Sequence, residues 1–273
     1  MTDRYCVFGN PISHSKSPLI HAAFARQTGE DISYSAILSP LDGFAASVHA
    51  FVAAGGRGAN VTVPFKEQAW QLANRRTARA ELAGAANTLI FDNAGIVGDN
   101  TDGVGLLRDI ALNLRSPLLG RRVLLLGAGG AARGVSGPLL DARPAALVIA
   151  NRTAARAHAL AGHFAQLGAV TVSSYSELAG QSFDIVINAT SASLGDALPP
   201  LPSGLFAAGS LAYEMMYGRS DTPFLTFAKA QGAERLADGL GMLVEQAAEA
   251  FHVWRGVRPD VTPLLAMLRN SGA

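Results

Sequence analysis

A short apolar run followed at once by closely spaced glycines constrains this chain more than any other feature. Residues 121–156 read RRVLLLGAGGAARGVSGPLLDARPAALVIANRTAAR. The run 123–126 is too short for a helix and fits a buried parallel strand. Gly127, Gly129 and Ala132 follow at the spacing G-x-G-x-x-A. The first glycine permits a tight turn, the second lets a pyrophosphate approach the backbone, and the small third residue lets a helix pack close to the strand. A helix beginning near Gly130 aims its free N–H groups and positive dipole end at the phosphates. Pro138 predicts that this helix is short or kinked. Residues 146–150 supply the second strand of a βαβ unit.

The residues after that second strand bear on which dinucleotide binds. A free ribose 2′-hydroxyl is usually met by Asp or Glu about 20 residues past the glycines. Here the strand runs into Asn151, Arg152 and Thr153, with Arg156 one helical turn on and no carboxylate among them. Two guanidiniums and a hydroxyl suit a 2′-phosphate, because Arg binds phosphate oxygens in bidentate fashion. The expected cofactor is therefore NADP(H) rather than NAD.

At 273 residues the chain is long enough for two domains. A formal charge of +1 gives no reason to expect nucleic acid or an anionic membrane as partner. The single cysteine, Cys6, excludes an internal disulfide framework and fits a reducing cytoplasm. It sits in an apolar run, where burial is its expected role. No apolar run is long enough to span a bilayer, and the N-terminus lacks the pattern of a signal peptide. No cluster of His and Cys at ligand spacing calls for a metal.

In chain order, residues 4–8 predict a first strand, which leads into Ser13-His14-Ser15-Lys16-Ser17-Pro18. Ser17-Pro18 reads as a helix start, with Ser17 as cap and Pro18 at the first helical position. Open α/β sheets bind ligands at the carboxyl ends of their strands, so Ser15 and Ser17 are candidates for a polar substrate as well as for capping. Residues 33–38 predict a strand, 41–54 a helix and 60–63 a third strand. Pro64 stops that strand, and Lys66 falls where the next helix begins. A lysine there is either a solvated surface residue or a proton donor whose pKa responds to burial. Residues 75–82 predict a polar helix, 84–98 a hairpin turning at Asn93-Ala94-Gly95, and 104–114 a helix. Asp102 precedes that helix, either as its cap or as a carboxylate that pairs with Lys66. Further strands are expected at 169–172, 183–188 and 210–213, and helices at 153–167, 222–231, 239–254 and 262–269. Residues 194–202, with three prolines, predict a loop. Gln246 is either a surface glutamine or a ligand contact.

Taken together, GNPISHSKSP, GANVTVPFK, GAANTL, GDNTDGVG, GAGGAARG, NRT, NAT, the pair Met215 and Tyr217, and ADGLGMLVEQA occur in the order found in one family. The chain resembles the shikimate dehydrogenases over its whole length. The resemblance implies an α/β fold of two domains. The first, residues 1–102, is a substrate domain completed by 239–273. The second, 103–238, is a Rossmann NADP-binding domain, and the C-terminal helices return to the first. It implies reduction of 3-dehydroshikimate to shikimate with NADPH, a step towards aromatic amino acids, or a quinate or dual quinate/shikimate activity on the same scaffold. It assigns the carboxylate to Ser15 and Ser17, and the carboxylate or ring hydroxyls to Thr62, Asn87, Asp102, Tyr217 and Gln246. Lys66 becomes the catalytic acid/base, with Asp102 beside it. Gly127, Ala128, Gly129, Gly130 and Ala131 hold the pyrophosphate; Asn151, Arg152, Thr153 and Arg156 hold the 2′-phosphate; Met215 and Gly239 line the nicotinamide. A small-molecule substrate is the expected partner, with the chain a monomer or homodimer. The sequence departs from the family pattern at Ala78, where an acidic residue is common, at Glu214 in place of Asp, and in the loop beginning at Ser191.

Overall fold

A computed structural model describes residues 2–190, 197–218 and 221–270. The fold is mixed α/β and comprises two compact units. The first consists of Met1–Gly105 and Val244–Leu268, and the second of Leu106–Leu243 with the last residues from Arg269. The breaks at Gly105, Leu243 and Leu268 fall inside helices.

The first unit contains β1 (Asp3–Gly9), α1 (Ser17–Thr28), β2 (Ile32–Leu38), α2 (Phe44–Ala53), β3 (Gly56–Val61), α3 (Lys66–Leu72), β4 (Arg75–Arg76), α4 (Ala78–Ala83), β5 (Thr88–Asp92), β6 (Gly95–Asp99) and the start of α5 (Asp102–Arg108). Its six strands lie in the order β2-β1-β3-β5-β6-β4. β1, β2 and β3 are parallel, and the β5–β6 hairpin begins with β5 antiparallel to β3. The strand order reverses at β1, so the loops after β1 and β3 open into one crevice. Under the sheet, Phe8, Phe44, Phe51 and Phe65 form a core in which Phe44 and Phe65 stack at 4.9 Å. Cys6 is buried in the same cluster, and burial pushes its thiol pKa up.

The second unit contains β7 (Arg122–Leu126), α6 (Gly130–Asp141), β8 (Ala146–Ala150), α7 (Ala154–Phe164), β9 (Val170–Ser173), β10 (Phe183–Asn188), β11 (Phe206–Glu214), α8 (Pro223–Ala230), β12 (Arg235–Ala237) and the start of α9 (Leu240–Arg255). All pairings are parallel, in the order β12-β11-β10-β7-β8-β9. This is the doubly wound dinucleotide-binding arrangement, with its switch point between β7 and β10. Parallel strands covered on both faces need continuous apolar runs, and Val123, Leu124, Leu125 and Leu126 are fully buried.

The rest of α9 and α10 (Thr262–Asn270) carry the chain back to the first unit. Trp254 Nε1 donates to Leu89 O at 3.0 Å, and Arg255 reaches the carboxylates of Asp3 and Glu30. No helix among the described residues is long and apolar enough to cross a membrane.

Several local expectations are corrected. α1 starts at Ser17 itself, with Lys16 at the capping position, and no side chain caps it there. The Ser15 hydroxyl instead accepts the Ser17 N–H at 3.3 Å. The helix expected at 75–82 is divided, because Arg75 and Arg76 pair with Val97 and Gly98 of β6. Only then does Thr77 cap α4, its side chain accepting from the Ala80 N–H. The helix expected at 104–114 widens into a π turn over 109–113, where the buried Asp109 carboxylate accepts from the Tyr213 hydroxyl at 2.7 Å. Pro138 does not shorten α6, which runs for 12 residues through it. Burial of Val135, Leu139 and Leu140 outweighs the one backbone bond that proline forfeits. β3 and β11 begin earlier than expected, at Gly56 and Phe206. Of the loop expected at 194–202, residues 194–196 lie outside the described residues, as does Ser191, and 197–202 carry no regular structure.

Candidate active site

In the first unit the loop after β1 and the loop after β3 meet at the strand-order reversal. A Cβ built on Gly9 would stand 2.6 Å from Thr62 Cγ2. Thr62 N–H donates to Phe8 O, and Asn10 N–H to Val63 O. Ser15 and Thr62 are half-buried and Ser17 is buried, whereas Ser13 and His14 are exposed. Lys66 is the first residue of α3, which follows the loop after β3.

Lys66 Nζ donates to Asp102 Oδ2 at 2.7 Å, with side-chain exposures of 31% and 11%. The other carboxylate oxygen, Oδ1, accepts from Asn87 Nδ2 at 2.8 Å. The orientation of the Asn87 amide is fixed by an unambiguous donor, because Thr101 N–H reaches Asn87 Oδ1 at 2.8 Å. The Asn87 NH₂ must therefore face Asp102. Each carboxylate oxygen receives a donor. Asn87 Nδ2 also reaches Gln246 Oε1 at 3.3 Å. Asp102 N–H donates to Asn100 Oδ1 at 3.1 Å, and Asn100 Nδ2 to Ala85 O at 3.0 Å. Lys66, Asn87, Asp102 and Gln246 are thus brought together, with Ser15 and Ser17 joined by their own hydrogen bond.

A second ionic cluster supports the same unit. Asp99 accepts from Arg79 Nε and Nη2 at 2.6 Å each and from Thr77 Oγ1 at 2.6 Å. Burial acts to raise the Asp99 pKa, but Arg79 and Thr77 outweigh it and hold the carboxyl below its usual range. Arg79 Nη1 also donates to Glu249 Oε1 at 2.8 Å. Ala78, where the family often has an acid, simply opens α4.

In the second unit, Gly127 has a φ of +108°, and a Cβ there would lie 3.0 Å from Ala189 O, so only glycine fits the turn. Cβ atoms on Gly129 and Gly130 would meet nothing within 4 Å. Gly129 precedes α6 in an extended conformation, and no side chain caps the helix. Gly129, Gly130 and Ala131 are exposed, so this turn is reachable by a pyrophosphate. Ala128 is half-buried and Ala131 exposed along this turn. At the end of β8, Asn151 Nδ2 donates to Thr153 O at 2.9 Å and shapes the turn. Arg152, Thr153 and Arg156 are exposed. This donor set, free of carboxylates, fits a dinucleotide bearing a 2′-phosphate.

Met215 and Gly239 are also brought together. A Cβ on Gly239 would stand 2.2 Å from Met215 O, and Gly239 N–H donates to Met216 O at 2.9 Å. Tyr217 lies just beyond, in the second unit, and burial raises its pKa. Sequence reasoning misses what holds this turn. Buried Glu214 accepts from Met216 N–H at 3.0 Å, from Asn188 Nδ2 at 2.8 Å and from Thr222 Oγ1 at 3.1 Å. The substitution of Glu for Asp therefore falls on a structural tether. Sequence reasoning also misses Thr101 and Asn100; their polar character within GDNTDG is the available signal. No group of three His, Cys, Asp or Glu side chains among the described residues is placed to hold a metal ion.

A lysine–carboxylate pair on one unit and a dinucleotide turn on a parallel sheet in the other define an NADP-dependent dehydrogenase of a small polar substrate. Residues 7–89 match the shikimate dehydrogenase substrate binding domain, 109–195 the shikimate/quinate 5-dehydrogenase family, and 239–266 the shikimate 5′-dehydrogenase C-terminal domain. The chain is 64% identical over 269 residues to the NADP⁺ shikimate dehydrogenase of Dechloromonas aromatica strain RCB, covering 98% of each. An Ael1 enzyme from Pseudomonas putida superposes with a TM-score of 0.93 at 56% identity, covering 98% of both chains. The shikimate 5-dehydrogenase of Thermus thermophilus, solved with NADP(H) and shikimate, gives 0.87 at 32% identity, covering 98% of this chain and 99% of that one. The chain belongs to the shikimate dehydrogenase family.

Proposed function

We propose that this enzyme reversibly reduces 3-dehydroshikimate to shikimate with NADPH, the reductive step of the shikimate route to aromatic amino acids. Relatives at 62–64% identity carry the name shikimate dehydrogenase (NADP⁺). The observation that carries the site reading is the Lys66–Asp102 pair, with the donor direction set by Asn87.

Reducing a ketone requires a hydride on carbon and a proton for the oxygen that becomes negative. NADPH supplies the hydride when bound. Lys66, as an ammonium, donates a hydrogen bond to the substrate oxygen and delivers the proton. Asp102 accepts a hydrogen bond from that ammonium and aims it. Ser15 and Ser17 bind the carboxylate, and Thr62, Asn87, Tyr217 and Gln246 bind the carboxylate or ring hydroxyls. Gly127, Ala128, Gly129, Gly130 and Ala131 carry the pyrophosphate, and Asn151, Arg152, Thr153 and Arg156 the 2′-phosphate. Met215 and Gly239 line the nicotinamide. Residues 1–102 with 239–273 serve the substrate, and 103–238 the cofactor. The enzyme works in the cytoplasm, as a monomer or homodimer.

The test is a steady-state assay of shikimate and quinate, each against NADP⁺ and NAD⁺. The expected result is the highest kcat/KM for shikimate with NADP⁺. A higher value for quinate, whose extra hydroxyl needs room beside Ser15 and Ser17, overturns the substrate assignment.

A further inference from the structure

The chemistry proposed above assigns no task to Tyr34, a half-buried residue of the first unit. Tyr34 lies on β2, and its hydroxyl donates to Asn60 Oδ1 at 2.7 Å. Asn60 lies on β3, buried, and its Nδ2 donates to Asn87 O and to Thr88 Oγ1, each at 3.2 Å. A backbone carbonyl can only accept, so the Asn60 NH₂ must face Asn87 and its Oδ1 must face Tyr34. Thr88 Oγ1 passes the order on, donating to Asn87 Oδ1 at 2.9 Å. Asn87 in turn fixes Asp102, and Asp102 fixes Lys66. Burial pushes the Tyr34 phenol pKa well above its ordinary value.

The Tyr34 ring is itself immobilised. His21 of α1 stacks on it at 4.2 Å with an interplanar angle of 6°, and Trp254 closes in at 6.4 Å. Burial pushes the His21 pKa down to about 3, opposed by the neighbouring Asn60 amide. Neither His21 ring nitrogen has a hydrogen-bond partner among the described residues. A neutral imidazole in that setting is a flat packing surface, and its effect is to hold the Tyr34 ring in one plane.

The geometry points to Tyr34 as a positioning residue for the substrate site. One hydroxyl, without touching substrate, anchors Asn60, which through Thr88 supports the Asn87 Oδ1 that Thr101 N–H already orients, and Asn87 in turn holds Asp102 and Lys66. This rests on the substrate-site reading above. The general reason is that a buried amide oxygen left without its donor weakens the hydrogen-bonded network it belongs to.

The experiment is Tyr34→Phe, which keeps the ring stack and removes only the hydroxyl. The KM for shikimate should rise about tenfold and kcat should fall about threefold to tenfold, with the KM for NADP⁺ within about twofold of the parent. Introduced on top of Asn60→Ala, the same change should lower kcat by less than about twofold more, because the relay is already cut. Asn60→Ser replaces Asn60→Ala if that variant does not fold. Parent-like KM and kcat in Tyr34→Phe, or fully additive kcat losses, overturn the role. Lys66→Ala in the same assay separates the two readings. A fully active Lys66→Ala defeats the site itself, whereas a parent-like Tyr34→Phe beside an inactive Lys66→Ala defeats only Tyr34.

Discussion

The substrate side and the cofactor side of this enzyme treat their polar groups in opposite ways. In the first unit Lys66, Asp102, Asn87, Thr101 and Gln246 are bonded to one another. In the second, Arg152, Thr153 and Arg156 stand exposed, as do the first two residues of α6. The difference follows from what each side must do. A proton donor has to be charged and aimed before the reaction, and preorganised dipoles cost nothing to reorient during it. A phosphate brings its own charge and geometry, so its binders need only be reachable.

The largest break in this contrast should come from Lys66→Ala, where kcat is expected to drop about 10²–10⁴-fold with little change in shikimate binding, measured by steady-state kinetics beside titration calorimetry. Next is the supporting ion cluster. Arg79→Ala leaves Asp99 buried without its main partner, and urea unfolding should register a loss of about 3 kcal/mol. On the open side, Arg152→Ala should raise the KM for NADP⁺ by about tenfold to a hundredfold and leave that for NAD⁺ nearly unchanged. Equal changes for both cofactors would remove the 2′-phosphate from Arg152.

The smallest effect is a pH dependence. Asp99 is held below its ordinary pKa of 3.8 in the folded state. Its contribution is therefore complete above the unfolded pKa and is lost as the pH falls through the folded one. Stability of the parent should decline on acidification below about pH 4, and Arg79→Ala should show a shallower decline over the same range. Identical slopes would mean that Arg79 does not set the Asp99 pKa.

What the sequence reveals of the two sides follows the same divide. The glycine turn and the Arg pair are legible because their chemistry is local: strand, turn, helix, strand, then charge. Gly127 is required by a backbone approach that the spacing itself announces. The substrate network is only partly legible. Lys66 and Asp102 could be suspected as a pair, but the polarity of Asn87 depends on Thr101, whose N–H arrives from another strand end. Ser17 shows the limit of local rules. Ser-Pro marks a helix start correctly, yet the hydroxyl at the helix mouth belongs to Ser15. Arg75 and Arg76 look helical by composition, and pairing with β6 overrides that preference. Glu214 reads as a departure from the family because nothing local reveals that Asn188, Thr222 and Met216 all converge on it.

The chain leaves its first unit at Gly105 and returns to it only at Val244. During synthesis nearly all of the second unit therefore emerges while the first still lacks its closing helix. The nascent chain must carry the Lys66 sheet with the Trp254 position beside Leu89 unfilled, and Arg79 without Glu249, until the last helices emerge. The second unit's sheet can form early, but the unit that holds the Lys66–Asp102 pair becomes whole only after the second has been made.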